Sequence, residues 1–192
     1  MADIVSRRSS SSHQRLMWWP WIVTAFTFPP AGLLSHAIVG NVDSVGAAVA
    51  SGLLAGAVIG TVQWLFLRTR GVPATWIVGT AVGLAVGLTA GSAMVSYETN
   101  ASALAVMGLV SGVCVGAGQV LSVRSRRSRA FEWSLATGAL WSIGWAVTTG
   151  TGVDVDEQWA VFGISGALVV SLLQSFLVGR AVPSAATARI SS

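Results

Sequence analysis

Charged side chains are scarce in this sequence, and lysine is absent. Charged residues make up 9% of the chain, whereas hydrophobic residues make up 53%. This balance is typical of a membrane protein and not of a soluble domain. Because binding to nucleic acid needs a large folded basic surface, the sequence also predicts no nucleic-acid partner.

Cysteine and histidine are too few for the common metal and redox sites. Cys114 is the single cysteine, which excludes an internal disulfide, and His13 and His36 alone cannot build a zinc or bis-histidine haem site. Ion-coupled transporters place ionisable residues at mid-membrane, and none lies well inside an apolar stretch here. No nucleophile and base pair, phosphate loop or paired carboxylate is visible either. The sequence therefore predicts neither an enzyme nor a cofactor.

Six apolar stretches are long enough, or nearly long enough, to cross a hydrocarbon core, which needs about 20 helical residues. They are apolar throughout and do not alternate with polar residues, which favours helices over the strands of a barrel. The predicted fold class is all-α, an integral membrane protein with six transmembrane helices. The stretches lie at about 17–39, 45–67, 75–96, 102–123, 131–150 and 159–178.

All the arginines fall on one side of these six spans, and arginine is retained on the cytoplasmic side. The arginines are Arg7, Arg8, Arg15, Arg68, Arg70, Arg124, Arg126, Arg127, Arg129, Arg180 and Arg189. The opposite connections carry only acidic charge, at Asp43, Glu98, Asp154, Asp156 and Glu157. The sequence predicts a multi-pass protein of the bacterial inner membrane, with both termini cytoplasmic and anionic lipid headgroups against the arginines.

The first span could also belong to a cleavable signal, because basic residues precede it and Ser35-His36-Ala37 offers small residues for a peptidase. Retention is favoured, since Trp19 keeps the register of an internal repeat. Trp19, Trp76 and Trp133 follow one another at intervals of 57 residues. The predicted organisation is a tail at 1–15, one transmembrane domain at 16–180 and a tail at 181–192. Helical hairpin repeats divide the domain at about 16–70, 71–127 and 128–180.

Small residues recur at fixed distances before Gln63, Gln119 and Gln174. Positions eleven, seven and three before each glutamine share one helical face with it, and small residues there let helix backbones approach closely in lipid. A second glycine series follows in the third span. The predicted helix-packing positions, a glycine zipper, are Gly52, Gly56, Gly60, Gly79, Gly83, Gly87, Gly91, Gly108, Gly112, Gly116 and Gly163.

The three glutamines are accordingly expected to point into protein, where two interpretations stay open. Each amide could bond a neighbouring helix backbone and fix its register. Alternatively, Gln63, Gln119 and Gln174 could gather around an axis and line a narrow passage. Repetition makes that ring conceivable without demonstrating it.

Tryptophans near the predicted span ends are expected to anchor among lipid headgroups. They are Trp18, Trp19, Trp21, Trp64, Trp76, Trp133 and, at the outer end, Trp159. Trp141 and Trp145 lie deep in the fifth span, where core packing or the stacking of a flat ligand would both fit. Pro29-Pro30 predicts a kink in the first span, because each proline removes a backbone donor.

One segment carries a family resemblance. Gly56-Ala-Val-Ile-Gly60-Thr-Val-Gln63-Trp64-Leu65-Phe-Leu67-Arg68, followed by the helix that begins at Trp76, resembles the repeating hairpin of uncharacterised bacterial multi-pass membrane proteins. The likeness is close in this copy, partial around Gln119 and weak around Gln174. The resemblance implies a fold of repeated hairpins and no chemistry.

Two classes of function follow from the sequence. The first is a non-catalytic structural or accessory protein, such as an assembly subunit, with a membrane-protein partner or a second copy of itself. The alternative is a passive pore or carrier for a small neutral solute, lined by the repeated glutamines. The first is favoured by the small-residue packing faces and the lack of buried charge.

Overall fold

The structure is a computed structural model that describes residues 21–123, 127–152 and 159–181. The described residues form six helices and no strand, so the predicted all-α class is confirmed. The helices are α1 (Trp21–Val39), α2 (Val45–Leu67), α3 (Thr75–Met94), α4 (Ala101–Ser122), α5 (Arg127–Gly150) and α6 (Ile164–Ala181). The predicted tails lie outside the described residues, except for Ala181 at the end of α6.

Four helices are long and apolar enough to cross a membrane. They are Trp21–Val39, Val45–Arg70, Thr75–Met94 and Ala101–Ser122. The apolar part of α6, Ile164–Leu177, is shorter, and α5 does not qualify. Charge alone does not explain the exception, because residues 133–150 of α5 carry no charged side chain. Three tryptophans and several serines, threonines and glycines lower the hydropathy of that stretch. The structure thus supports a membrane protein with four candidate spans.

Side-chain caps set the starts of two helices. Ser44 Oγ accepts a hydrogen bond from the Ala47 N–H at the start of α2, and Asn100 Oδ1 accepts one from the Ala103 N–H at the start of α4. Such caps satisfy backbone donors that have no partner within the first turn. Both caps lie at the acidic end of the bundle, where chain connections re-enter helices.

The first helix changes geometry directly before its prolines. Residues Thr24–Thr27 form a 3-10 turn, and the α-helical part, Phe28–Val39, has proline in its first turn. Pro29 and Pro30 have no N–H to offer the preceding turn, so the regular ladder is broken there. Thr27 Oγ1 donates to the Thr24 carbonyl at 2.6 Å. A 3-10 segment therefore lies directly before the two prolines at which the sequence predicts a kink.

Consecutive helices run antiparallel and pack side by side, and α6 returns to pack on the 3-10 segment of α1, which closes the bundle. From α2 to α5 the contacts are backbone to backbone. A methyl group added at Gly52 would lie 2.5 Å from Ala85 Cα, and one added at Gly83 would lie 2.8 Å from Val115 Cα. Only glycine permits this approach, because real Cβ atoms keep a distance of at least about 3 Å.

The link before α6 enters the bundle without forming a helix. The ring of Trp159 stacks on that of His36 at 4.6 Å, whereas Phe162 stacks on Phe28 at 4.9 Å. His36 and Phe28 are two turns apart on α1, so the link descends about 12 Å along that helix. The Gly163 N–H donates to Thr148 Oγ1 at 3.1 Å, which satisfies one backbone donor that this path exposes.

The predicted start of the last span at residue 159 was therefore wrong. The segment is apolar, as a span would be, but its apolar side chains fill the interior of the bundle. Phe162 lies edge-on to Trp141 at 5.2 Å and to Trp145 at 6.1 Å. Both tryptophans are buried core residues, and Phe162 occupies the space beside Gly144. Of the two roles considered for Trp141 and Trp145, the structure matches core packing.

Candidate functional site: a buried layer of glutamine and tryptophan

A layer of polar side chains crosses the bundle near its arginine-bearing end. We call it the amide layer, and its members are Gln63, Gln119, Gln174, Trp21, Trp76, Trp133, Thr80 and Thr137. Even-numbered helices end at this level and odd-numbered helices begin there, so each glutamine from the first set meets residues of the second. Gln63, Gln119 and Gln174 are 4%, 2% and 4% exposed.

Two glutamines bond each other directly. Gln119 Nε2 donates to Gln63 Oε1 at 3.0 Å, and the same oxygen accepts the indole N–H of Trp76 at 3.2 Å. One amide oxygen of α2 thereby connects α3 and α4. Since a carbonyl oxygen has two lone pairs, both of its acceptor sites are used.

Gln119 is the most connected member of the layer. Its Oε1 accepts the indole N–H of Trp133 at 3.0 Å, and its Nε2 also lies 3.3 Å from Thr80 Oγ1. The Thr80 hydroxyl donates to the Trp76 carbonyl, which leaves its oxygen free to accept. Residues from α2, α3, α4 and α5 are thus joined in one hydrogen-bonded network.

Gln174 takes part differently. Its Nε2 donates to Thr137 Oγ1 of α5 at 3.3 Å. This contact repeats the one between Gln119 and Thr80, since both amides reach a threonine of the preceding helix. The structure therefore brings Gln63 and Gln119 together and holds Gln174 against α5.

Three tryptophans enclose the amides. Trp21, Trp76 and Trp133 are 1%, 0% and 3% exposed. Trp21 meets Trp133 edge to face, with 6.3 Å between ring centroids. Leu67, Val72 and Val120 belong to the same apolar cluster. The polar groups are therefore held in apolar surroundings, where paired hydrogen bonds are strong and unpaired groups are costly.

The expected role of these tryptophans as headgroup anchors was wrong for Trp21, Trp76 and Trp133, because all three are buried. Trp64 is half-buried at the surface, where its N–H donates to the Val72 carbonyl and the Arg68 guanidinium lies 5.7 Å from its ring. Trp159 is also half-buried. Trp18 and Trp19 lie outside the described residues. A sequence signal existed, since a tryptophan follows Gln63 by 13 residues and Gln119 by 14.

The glycines surround the layer as helix contacts, and each set faces the next helix. Gly52, Gly56 and Gly60 of α2 lie against α3; Gly79, Gly83, Gly87 and Gly91 of α3 lie against α4; Gly108, Gly112 and Gly116 of α4 lie against α5. Gly163 differs, because it lies directly before α6 and not inside it. Its place is taken by Gly166, which meets the backbone of Gly144.

Sequence reasoning missed several partners in these contacts. Gly118 meets Gly79, and Gly138 meets the backbone of Leu109, so both belong with the packing glycines. Thr80 and Thr137 were also missed, although each lies one turn after a repeated tryptophan. That regular offset was the available signal.

The chemistry open to the amide layer is hydrogen bonding. Its members are amides, indoles and hydroxyls, none of which changes its protonation state near neutral pH. Within the described part of the chain, no group of three His, Cys, Asp or Glu side chains could hold a metal ion. The arrangement therefore suits cohesion between helices, or the binding of a small neutral molecule, better than acid and base catalysis.

Comparison with known proteins adds no relative, since no family model, no curated protein and no solved structure matches the chain.

Proposed function

We propose that the chain is a multi-pass protein of the bacterial inner membrane in which all six helices cross the bilayer and both termini are cytoplasmic. Four helices are already apolar and long enough. The amide layer and the basic connection at Arg68 and Arg70 share one end of the bundle, whereas Asp43 and Glu98 lie at the other. This separation of charge follows the rule that positive residues stay inside.

Thiol labelling in intact cells tests this orientation. In a Cys114→Ala background, Asn41→Cys places an exposed thiol at the acidic end, and Thr69→Cys places one at the basic end. A membrane-impermeant maleimide should label the first variant in intact cells and the second only after lysis. Labelling of Thr69→Cys in intact cells would show that the basic end faces outward.

The proposed arrangement is three tandem hairpins that derive from one repeated unit. Supporting it, Trp76 bonds Gln63 and Trp133 bonds Gln119, each across the connection that joins consecutive hairpins. The same repeat underlies the glycine contacts of α2 with α3 and of α4 with α5. We regard the close glycine contacts as the device that lets these hairpins pack in lipid.

Within that membrane setting, the proposed role is a non-catalytic structural or accessory one. The single observation that carries it is the direct bond between Gln63 and Gln119, because these inward amides satisfy each other and their tryptophan neighbours. Large apolar side chains from all six helices fill much of the remaining interior. Interactions with other molecules are then left to the outward faces and to the bilayer surfaces.

Site-specific photocrosslinking in native membranes tests this role. A photoreactive residue is placed at the exposed positions Val82 of α3 and Leu33 of α1, with Asn41 in an outer connection as the control. An accessory subunit should give an adduct of discrete mass from at least one membrane-facing position and none from the control. Adducts with lipid alone at both positions would refute a stable protein partner on these faces.

A passive pathway for a small neutral solute is the second candidate. It is favoured by one observation, that two of the three repeated glutamines meet inside the bundle. Purified protein in liposomes can be assayed for flux of water and small neutral solutes. The accessory role predicts flux no greater than in protein-free liposomes. A flux that disappears when Gln63, Gln119 and Gln174 are all changed to leucine would instead favour the amide-lined pathway.

A further inference from the structure

A small cavity lies at the acidic end of the bundle, where α3 connects to α4 and the link before α6 enters. Its lining includes the buried residues Ser92 and Met107, the half-buried rings of Tyr97 and Trp159, and the exposed residue Glu98. The cavity therefore runs from the protein surface into the bundle. Its free volume is about 10 Å³, which is the space that one water-sized group needs.

The wall of this cavity combines aromatic rings with a carboxylate. Tyr97 and Trp159 supply the rings, and Trp159 is held by its stacking on His36 at 4.6 Å. Glu98 supplies the charge, and its Oε2 accepts a hydrogen bond from Asn100 Nδ2 at 2.6 Å. A carboxylate can accept about four hydrogen bonds, so Glu98 can also accept from a ligand. Rings beside a carboxylate favour a bound cation.

The surroundings of the cavity also favour positive charge. At its buried end, Ser92 Oγ donates to Met107 Sδ at 3.4 Å, and a hydroxyl that donates keeps the lone pairs of its own oxygen as acceptors. Helix α3 ends beside the cavity, where the Tyr97 N–H donates to the Ser92 carbonyl, and the C-terminus of a helix attracts cations. The connections at 40–44 and 95–100 contain no arginine. A bound cation would meet no basic side chain from either connection.

The backbone directly before Glu98 is strained. Ser96 and Tyr97 have φ angles of 53° and 61°, in the left-handed region that favours glycine. The chain contains 22 glycines and a single tyrosine, and this tyrosine occupies one of the two strained positions. Strained backbone of this kind clusters at ligand-binding sites. The strain is accounted for if the cavity needs the ring of Tyr97.

We propose that this cavity binds a primary ammonium group, which donates hydrogen bonds to the Glu98 carboxylate and lies against the rings of Tyr97 and Trp159. An ammonium head is about the size of a water molecule, so it fits the free volume, whereas a trimethylammonium head is too large. The rest of the ligand extends past Glu98 to the surface. A free amine and the ethanolamine headgroup of a phospholipid share this chemistry. The site adds ligand binding to the accessory role and does not depend on which side of the membrane the acidic end faces.

Saturation-transfer NMR with ethanolamine tests the site on the purified full chain in a nonionic detergent, with empty micelles as the blank. We expect transfer from the protein to the ethanolamine methylene protons and none to choline, which carries a trimethylammonium group. Glu98→Gln should weaken ethanolamine binding by about tenfold or more, because it removes the charge and keeps an oxygen for Asn100. Asp43→Asn is the matched control, since it removes an exposed carboxylate at the same end that does not line the cavity. It should change binding by less than about twofold.

A second variant and a lipid titration complete the test. Tyr97→Gly suits the left-handed backbone and removes the ring, so it should also weaken ethanolamine binding. Phosphatidylethanolamine added to the micelles should displace ethanolamine, at a fraction at which phosphatidylcholine does not, if the ligand is the lipid headgroup. Unchanged ethanolamine binding would identify a free amine as the ligand, and either result supports the ammonium site. Absence of transfer to ethanolamine, equal transfer to choline, or undiminished binding by Glu98→Gln would overturn the proposal.

Discussion

The bundle has two unlike sides. From α2 to α5, glycines such as Gly83 let backbones touch, and the adjoining glutamines and tryptophans pair directly. Around α1 and α6, Pro29-Pro30 interrupts one helix and a non-helical link replaces the start of the other. Bulky rings fill that side, and the indole N–H of Trp21 has no hydrogen-bond partner among the described residues.

The difference shows what the glycine frame does. Where it is intact, helix separation is fixed by backbone contact, so an amide on one helix reaches an indole on the next. The frame changes to Ala167 and Ser171 before Gln174, and the buried face of α1 carries Phe28. Helix α6 keeps a close backbone contact with α5, at Gly166 against Gly144. Between α1, α5 and the link before α6, interior aromatic rings fill the core.

The largest effect is expected from adding a side chain where the helix backbones touch. Gly83→Leu should abolish folding, because even a Cβ at that position lies 2.6 Å from the Cys114 carbonyl oxygen and cannot be relieved by side-chain movement. Gly150→Leu is the control, since a Cβ there meets nothing within 4 Å. Gel filtration after detergent extraction reports the folded monomer. A monodisperse Gly83→Leu protein would contradict the close contact.

Removing volume should damage the opposite side. Phe162→Ala leaves a hole between Phe28, Trp141 and Trp145, and we expect it to lower the free energy of unfolding by about 3 kcal/mol or more. Phe176→Ala is the matched control, because that ring is exposed on α6. It should change stability by less than about 0.5 kcal/mol. Reversible unfolding in mixed micelles gives both values, and equal losses would show that Phe162 is not a core residue.

Replacing a glutamine should lower the free energy of unfolding by more when its side chain makes more hydrogen bonds. Gln119→Leu removes bonds to Gln63, Thr80 and Trp133, and we expect a loss of about 2 kcal/mol. Gln174→Leu removes the bond to Thr137, and a loss of about 1 kcal/mol is expected. The same unfolding measurement distinguishes them. A larger loss at Gln174 would reverse the contrast between the two sides.

The smallest effect is expected at the surface of the layer. Trp64→Phe keeps a ring beneath Arg68 and removes only the half-buried bond to the Val72 carbonyl. We expect a loss below about 1 kcal/mol, and a larger one for Trp76→Phe, which leaves Gln63 without one donor. Similar losses for the two variants would mean that the buried hydrogen bond of Trp76 contributes no more to stability than the half-buried one of Trp64.

Much of the fold could be predicted from the sequence because the apolar runs are long and sharply bounded. Helices α2, α3 and α4 lie within two residues of the predicted stretches. The link at Trp159 to Phe162 could not be predicted from hydropathy, since side chains that fill a core and side chains that face lipid are equally apolar. Only the tertiary contacts with Phe28 and Trp141 distinguish them.

The amide layer was partly predictable. The glycine frame placed Gln63, Gln119 and Gln174 on packing faces, and the structure buries them. The pairing with tryptophan was not predicted, because it depends on the register between helices and on how near their axes lie. Trp76 is at the end of a span in the sequence, where headgroup anchoring is the common role. The close glycine contacts bring its indole N–H within hydrogen-bond distance of Gln63 Oε1.

The most direct measurement of the central contact is a double-mutant cycle between Gln63 and Gln119 in reversible unfolding. The variants are Gln63→Leu, Gln119→Leu and the two together, with stability measured in the same micelles. We expect the losses to be non-additive, with a coupling free energy of about 1 kcal/mol in favour of the paired amides. Losses that add to within about 0.3 kcal/mol would contradict an amide layer that joins α2 to α4.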